Sequence, residues 1–142
     1  MIALGCDHAG YPLMQTVKEY LDEQSIPYTD YGAGSTQPVD YPVYAHLVTE
    51  AVLSGRCGRG ILICGTGIGI SIAANRRNGI RCALCHDVFS AKASRQHNDA
   101  NILAMGGRVI GPGPALEILR AFLETDFSGG ANHIRRIGML ES

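Results

Sequence analysis

A three-layer α/β/α sandwich, with a five-stranded parallel sheet between two layers of helices, is predicted for this chain by three observations. Short apolar runs alternate with longer segments of helical periodicity along the whole length. The runs are nearly continuous in apolar residues, as in strands buried on both faces. Each ends in a small or polar turn, so Cys6-Asp7-His8, Cys64-Gly65-Thr66-Gly67 and Cys85-His86-Asp87 fall at strand carboxyl ends, where open α/β sheets bind ligands. The expected strand order is 2-1-3-4-5, a flavodoxin-like or Rossmann-like arrangement.

The elements follow in order. Residues 2–6 form a first apolar strand. Leu13, Val17, Tyr20 and Leu21 then recur at helical spacing, with Pro12 suited to a first turn. Residues 28–31 are a weaker strand, ended by Gly32-Ala33-Gly34. Asp40 is placed to cap a helix that carries Pro42 in its first turn and buries Val43, Leu47, Val48, Ala51 and Val52. Residues 61–64 are the third strand, and residues 68–75 begin the most apolar helix. A fourth strand covers 81–84, and Asp87 caps a helix through Val88, Ala91 and Arg95. The fifth strand, 102–105, is closed by Gly106-Gly107, and Pro112 and Pro114 open a helix with Leu116, Leu119, Phe122 and Leu123 inward. A final helix over 132–140 has no following strand to cover and is expected to pack on a neighbouring subunit.

At 142 residues the chain is long enough for one domain, residues 1–142, with a real core. Twelve basic against 13 acidic residues leave a net charge of -1, which is no footprint for nucleic acid. No signal sequence or long apolar run is present, so a cytoplasmic location away from membranes is expected. The five cysteines are odd in number and irregular in spacing, which argues against a disulfide framework. Cys82 and Cys85 match C-x-x-C, but residues three apart on a strand face opposite ways. They, with Cys6 and Cys57, are read as packed thiols. No cluster has zinc-ligand spacing, and neither metal nor organic cofactor is expected.

Cys64 is different. It ends an apolar strand, precedes three alternating glycines and stands where a helix begins. The dinucleotide fingerprint would need glycine at position 70 or 72, and both are isoleucine. Gly-Lys-Ser/Thr of the P-loop is absent too. What remains is a loop of backbone N–H groups that suits an anion, beside a thiol that a helix N-terminus favours as thiolate. Such a thiolate can serve as base or nucleophile. Asp7-His8 follows the first strand, and Arg95-Gln-His97-Asn98-Asp99-Ala-Asn101 is a dense polar segment before the fifth. Arg108, Arg135 and Arg136 are cations suited to a phosphate. His46 and His86 receive no role. A base, an oxyanion cradle, two histidines and several arginines suit proton transfer next to a carbonyl in a phosphorylated substrate.

Asp7-His8-Ala9-Gly10, Asp40-Tyr41-Pro42, Cys64-Gly65-Thr66-Gly67-Ile68-Gly69 with Ser71 and Asn75, Arg95-x-His97-Asn98-Asp-Ala-Asn101 and Gly106-Gly-Arg108 occur in this order over essentially the whole chain. Together they resemble ribose-5-phosphate isomerase type B, the family that also holds the galactose-6-phosphate isomerase subunits. The resemblance implies interconversion of ribose 5-phosphate and ribulose 5-phosphate through a cis-enediolate, in the non-oxidative pentose phosphate pathway. By similarity Cys64 is the base, Thr66 assists proton movement at the substrate oxygens, and His97 helps open the furanose ring. Backbone N–H groups over Gly65, Gly67 and Gly69 hold the enediolate. Asp7, Tyr41, Ser71 and Asn98 belong to the sugar site, and His8, Arg108 and Arg136 to the phosphate. The family also implies a homodimer, with a tetramer as the alternative, in which His97 and Asn98 enter the neighbour's site. One position departs from the pattern: Asn132 stands where the family usually has a phosphate-binding arginine. Loss of one charged contact is worth about 1.5–3 kcal/mol, to be made up by Arg135 or His133 or avoided by a different substrate. The alternatives are allose 6-phosphate, galactose 6-phosphate or a tetrulose 4-phosphate and, more distantly, a non-catalytic phosphosugar-binding subunit.

Overall fold

The computed structural model describes all 142 residues. Its elements are β1 (Ile2–Cys6), α1 (Tyr11–Glu23), β2 (Tyr28–Asp30), α2 (Tyr41–Leu53), β3 (Arg59–Cys64), α3 (Ile68–Asn75), β4 (Cys82–Leu84), α4 (Val88–Asn98), β5 (Ile102–Gly106), α5 (Pro112–Glu124) and α6 (Ala131–Leu140). All five strands are parallel, in the order β2-β1-β3-β5-β4.

The three layers follow from the period of two along each strand. Leu4, Ile61, Ile63, Leu103 and Met105 face α1, α4 and α5, where they meet Leu13, Met14, Val17, Ala91, Ile118, Leu119 and Phe122. Ala3, Leu62, Cys64, Ile102 and Ala104 face α2 and α3, where they meet Ala45, Val48, Ala51, Ile70 and Ala74. Each fully buried Leu, Ile or Phe contributes about 1.5–3 kcal/mol, so both faces of the sheet hold the fold.

The strand order corrects the expected 2-1-3-4-5: the last two strands exchange places. β5 is buried along all five residues, while β4 has three residues, none of them buried, and ends in exposed Leu84. Burial puts the longer, wholly apolar strand between two neighbours and leaves the short one at the edge. Asn75 covers part of that edge, since its side chain accepts the Cys82 N–H at 2.8 Å and donates to the Cys82 carbonyl at 2.9 Å.

Two helix expectations also change. Asp40 occupies the N-cap position of α2, but its side chain makes no capping bond. Asp87 does cap α4, accepting the Ser90 N–H at 2.7 Å. Val43 and Leu47 do not lie on the buried face of α2, which is formed by Ala45, Val48, Thr49 and Ala51. They are exposed, as are Ile68 and Ile72 on the adjoining α3.

Candidate active site

β1 is flanked by β2 and β3, so the chain leaves it in opposite directions and a crevice opens at the carboxyl ends of β1 and β3. Asp7 follows β1 directly and is buried. One of its carboxylate oxygens accepts the Gly10 N–H at 3.0 Å, ahead of α1. The other makes no protein hydrogen bond and reaches solvent. His8 accepts the Val39 N–H on Nδ1 at 3.1 Å, which leaves Nε2 to carry the proton and donate outward.

Cys64 ends β3, 4% exposed, in register with Gly106. Its Sγ accepts the Gly67 N–H at 3.2 Å, so the thiol is turned to the helix N-terminus. Thr66 Oγ1 accepts the Ile68 N–H at 3.1 Å. These bonds leave the amides of Gly65, Thr66 and Gly69 without a protein acceptor, an open nest of N–H groups. Gly67 begins α3 at φ +77°, and a Cβ there would lie 2.5 Å from Leu84 and 2.8 Å from the Met105 backbone. Glycine is therefore required. The Tyr41 ring lies against Gly69, where a Cβ would come within 2.6 Å. Ser71, buried, turns its hydroxyl onto the Ile68 carbonyl at 2.8 Å, within its own helix.

The loop after β5 is bound to the loop after β3. The Gly107 N–H donates to the Cys64 carbonyl at 2.8 Å, and the Arg108 N–H donates to the Gly65 carbonyl at 3.0 Å. The Arg108 guanidinium thus lies beside Gly65, exposed at the mouth of the crevice. His86, which the sequence reading left without a role, supports this junction: its Nε2 accepts the Gly106 N–H at 3.0 Å. Gly106 in turn packs on the Thr66 backbone, where a Cβ would be at 2.7 Å. The available signal was its place just after β4, on the same carboxyl edge.

Three of the other cysteines, Cys6, Cys82 and Cys85, are held as thiols. Burial pushes Cys6 up to about 12 and Cys85 up to about 11, and burial also raises Cys82. Cys6 donates to a carbonyl, that of Ala33, instead of accepting an amide. Cys82 and Cys85 pack toward opposite faces of the sheet, as expected. No group of three or more His, Cys, Asp or Glu side chains is arranged to hold a metal ion.

The structure divides the sequence-predicted residues into two groups. Asp7, His8, Tyr41, Cys64, Gly65, Thr66, Gly67, Gly69, Ser71 and Arg108 stand at the carboxyl edge. His97 and Asn98 do not. They are the last two residues of α4, which starts at that edge and runs about 16 Å back to the start of β5. His97 stacks on His133 of α6, with ring centroids 4.6 Å apart and planes at 16°. Asn132 and Arg136 are exposed on the same helix. Within one chain, the second group is at the opposite end of the sheet from Cys64.

Two of the polar residues near His97 are structural. Buried Arg95 bonds the Thr125 and Ala100 carbonyls and pairs with Asp99 at 2.8 Å, tying the end of α4 to the end of α5. Asn101 accepts the Arg81 N–H and donates to the Gly79 carbonyl.

The family model described as Ribose/Galactose Isomerase matches residues 2–140. The chain belongs to this family. Among its relatives, ribose-5-phosphate isomerase B of Escherichia coli is 47% identical over 134 residues, covering 94% of this chain and 90% of that protein. The D-erythrulose-4-phosphate isomerase of Pectobacterium atrosepticum is 44% identical over 144 residues, covering 99% and 94%. The solved structure of Clostridium thermocellum ribose-5-phosphate isomerase B superposes with a TM-score of 0.97 at 47% identity, covering 99% of this chain and 94% of that one. The fold of this ribose/galactose isomerase family member is thus that of the B-type enzymes, and its homologues are sugar phosphate isomerases.

Proposed function

We propose that this chain is an aldose–ketose isomerase that interconverts ribose 5-phosphate and ribulose 5-phosphate. The observation that carries the reading is Cys64 Sγ on the Gly67 N–H, beside the open amides of Gly65, Thr66 and Gly69. A proton on C2 of the open-chain aldose is acidic only if the enediolate that forms is stabilised. Cys64 as thiolate removes that proton, the electron pair passes to O1, and the free amides hold the oxyanion. The thiol then returns a proton to C1 while Thr66 moves one between O1 and O2. Asp7 binds sugar hydroxyls through its free oxygen. His8 Nε2 and Arg108 hold the phosphate, and binding energy gained there orients the reacting carbons. The mechanism calls for neither a metal nor an organic cofactor.

Ribose 5-phosphate is a furanose, so ring opening comes first. The C1–O4 bond breaks with its electron pair on O4, which takes a proton from His97 while the C1 hydroxyl proton leaves to water. Because His97, Asn98, Asn132 and Arg136 are remote from Cys64 in one chain, each complete site needs two subunits. A homodimer with shared sites accounts for this. The exposed apolar residues Val43 and Leu47 of α2 and Ile68 and Ile72 of α3 supply a face for the contact. The whole of residues 1–142 acts as one isomerase domain in the cytoplasm.

Asn132 and the erythrulose-4-phosphate isomerase relative favour a second reading, the same chemistry on a four- or six-carbon sugar phosphate. Turnover of ribose 5-phosphate beside erythrose 4-phosphate and allose 6-phosphate separates the two. The expected result is the highest kcat/KM on ribose 5-phosphate. If ribose 5-phosphate were the poorest of the three, the pentose reading would fail and Asn132 would mark the changed specificity.

A further inference from the structure

We infer that His133 is the positioning residue that fixes the imidazole of His97 for furanose ring opening. The inference rests on the isomerase reading above and extends it to a residue that reading left without a task.

His97 is exposed at the last turn of α4, and no hydrogen bond within the chain holds either of its ring nitrogens. An exposed histidine at a helix end would sample several rotamers, which is costly for a proton donor that must meet one ring oxygen. The stack on His133, at 4.6 Å and 16°, sets the ring plane and leaves both nitrogen edges open.

α6 is built to present that ring. It buries no residue of its own. Its inward face is His133, Ile137 and, just beyond the helix, Glu141, each half-buried and four residues apart. Glu141 anchors the far end, accepting the Gly79 N–H at 2.8 Å and pairing with Arg81 at 2.7 Å. The imidazole stack anchors the near end. Two fixed ends hold the helix in register with α4, so His97 and Arg136 keep one relation to each other.

Two stacked imidazoles are poorly suited to carry two charges, and burial, His97 and Arg136 all lower the proton affinity of His133.

The test exploits the chemistry of the product. Ribulose 5-phosphate is acyclic, because the hydroxyl that would close its furanose carries the phosphate. Exchange of its C1 proton with solvent requires Cys64 but no ring opening. His133→Ala, His133→Phe and His97→Ala are compared with the parent protein, by turnover of ribose 5-phosphate and by NMR of deuterium uptake into ribulose 5-phosphate. His133→Ala is expected to lower kcat on ribose 5-phosphate about tenfold, a smaller loss than that of His97→Ala, while exchange stays within about twofold of the parent. His133→Phe, which keeps a flat ring in the stack, is expected to recover most of the lost turnover. Equal loss of turnover and exchange in His133→Ala would show a merely structural role and overturn the inference. So would His133→Phe no better than His133→Ala, or unchanged turnover in His133→Ala beside a drop in His97→Ala. Unchanged turnover in His97→Ala, or no ribose 5-phosphate turnover by the parent, would remove the site reading itself and this inference with it.

Discussion

Cys64 is set apart from the other thiols by what its sulfur accepts, since Cys6, Cys57 and Cys85 are as well buried. A backbone N–H is pointed at the sulfur of Cys64, whereas the thiol of Cys6 is turned to a carbonyl. Cys64→Ala removes a small buried side chain and the only proposed base. The expected outcome is a loss of isomerase turnover of about 10³-fold, with far-UV circular dichroism unchanged. The cysteine's setting was legible in the sequence because it is local: an apolar run, a thiol and three glycines suffice. The role of His86 was not legible, because its partner is 20 residues away in another strand. Ser71 shows the converse: its place in the motif was visible, but its hydroxyl is turned into the helix backbone.

At the scale of elements, the alternation of strands and helices was readable throughout, and the errors were errors of neighbourhood. Nothing in the periodicity of residues 81–84 and 102–106 says which strand is the edge. The clue was that one run begins with arginine and is short, while the other is wholly apolar. Helix α2 was assigned too wide a buried face because Val43 and Leu47 are apolar, yet they belong to an outer surface. Helix α6 is the element held least by apolar packing, so its docking depends on charge. The Arg81 guanidinium and the Gly79 amide hold Glu141 below the usual carboxylate range. A depressed carboxylate stabilises the fold above its unfolded value, near pH 4.3, and that contribution disappears as pH falls through the lower folded value. Glu141→Gln is therefore expected to cost about 1 kcal/mol at pH 7. The cost shrinks as pH falls below about 4.3 and is lost once pH has passed through the lower folded value, as followed by urea unfolding of both proteins across that range. A difference that stayed constant to pH 3 would show that the ion pair is not its source.

For the whole molecule, most residues of the proposed site were named from the sequence, whereas their separation within one chain is a property of the fold. A helix that starts at the carboxyl edge of a parallel sheet must end at the opposite one, and α4 carries His97 and Asn98 there. Single-chain geometry thus offers two half-sites, one with Cys64 and the nest of amides, the other with the stacked histidines and Arg136. The exposed apolar surface of α2 and α3 adjoins the first half. Two chains related by a twofold axis would complete two sites at once, each from the carboxyl edge of one and the α4–α6 corner of the other.

The most direct measurement is complementation between Cys64→Ala and His97→Ala proteins, unfolded together, refolded and assayed on ribose 5-phosphate. Each variant alone is expected to be nearly inactive. In a mixed dimer, one site carries both defects and the other carries neither. Random reassortment makes half the dimers mixed, so about a quarter of the parent specific activity should return. No recovery, from proteins shown to exchange subunits, would mean that Cys64 and His97 do not meet across a subunit boundary and would contradict the account.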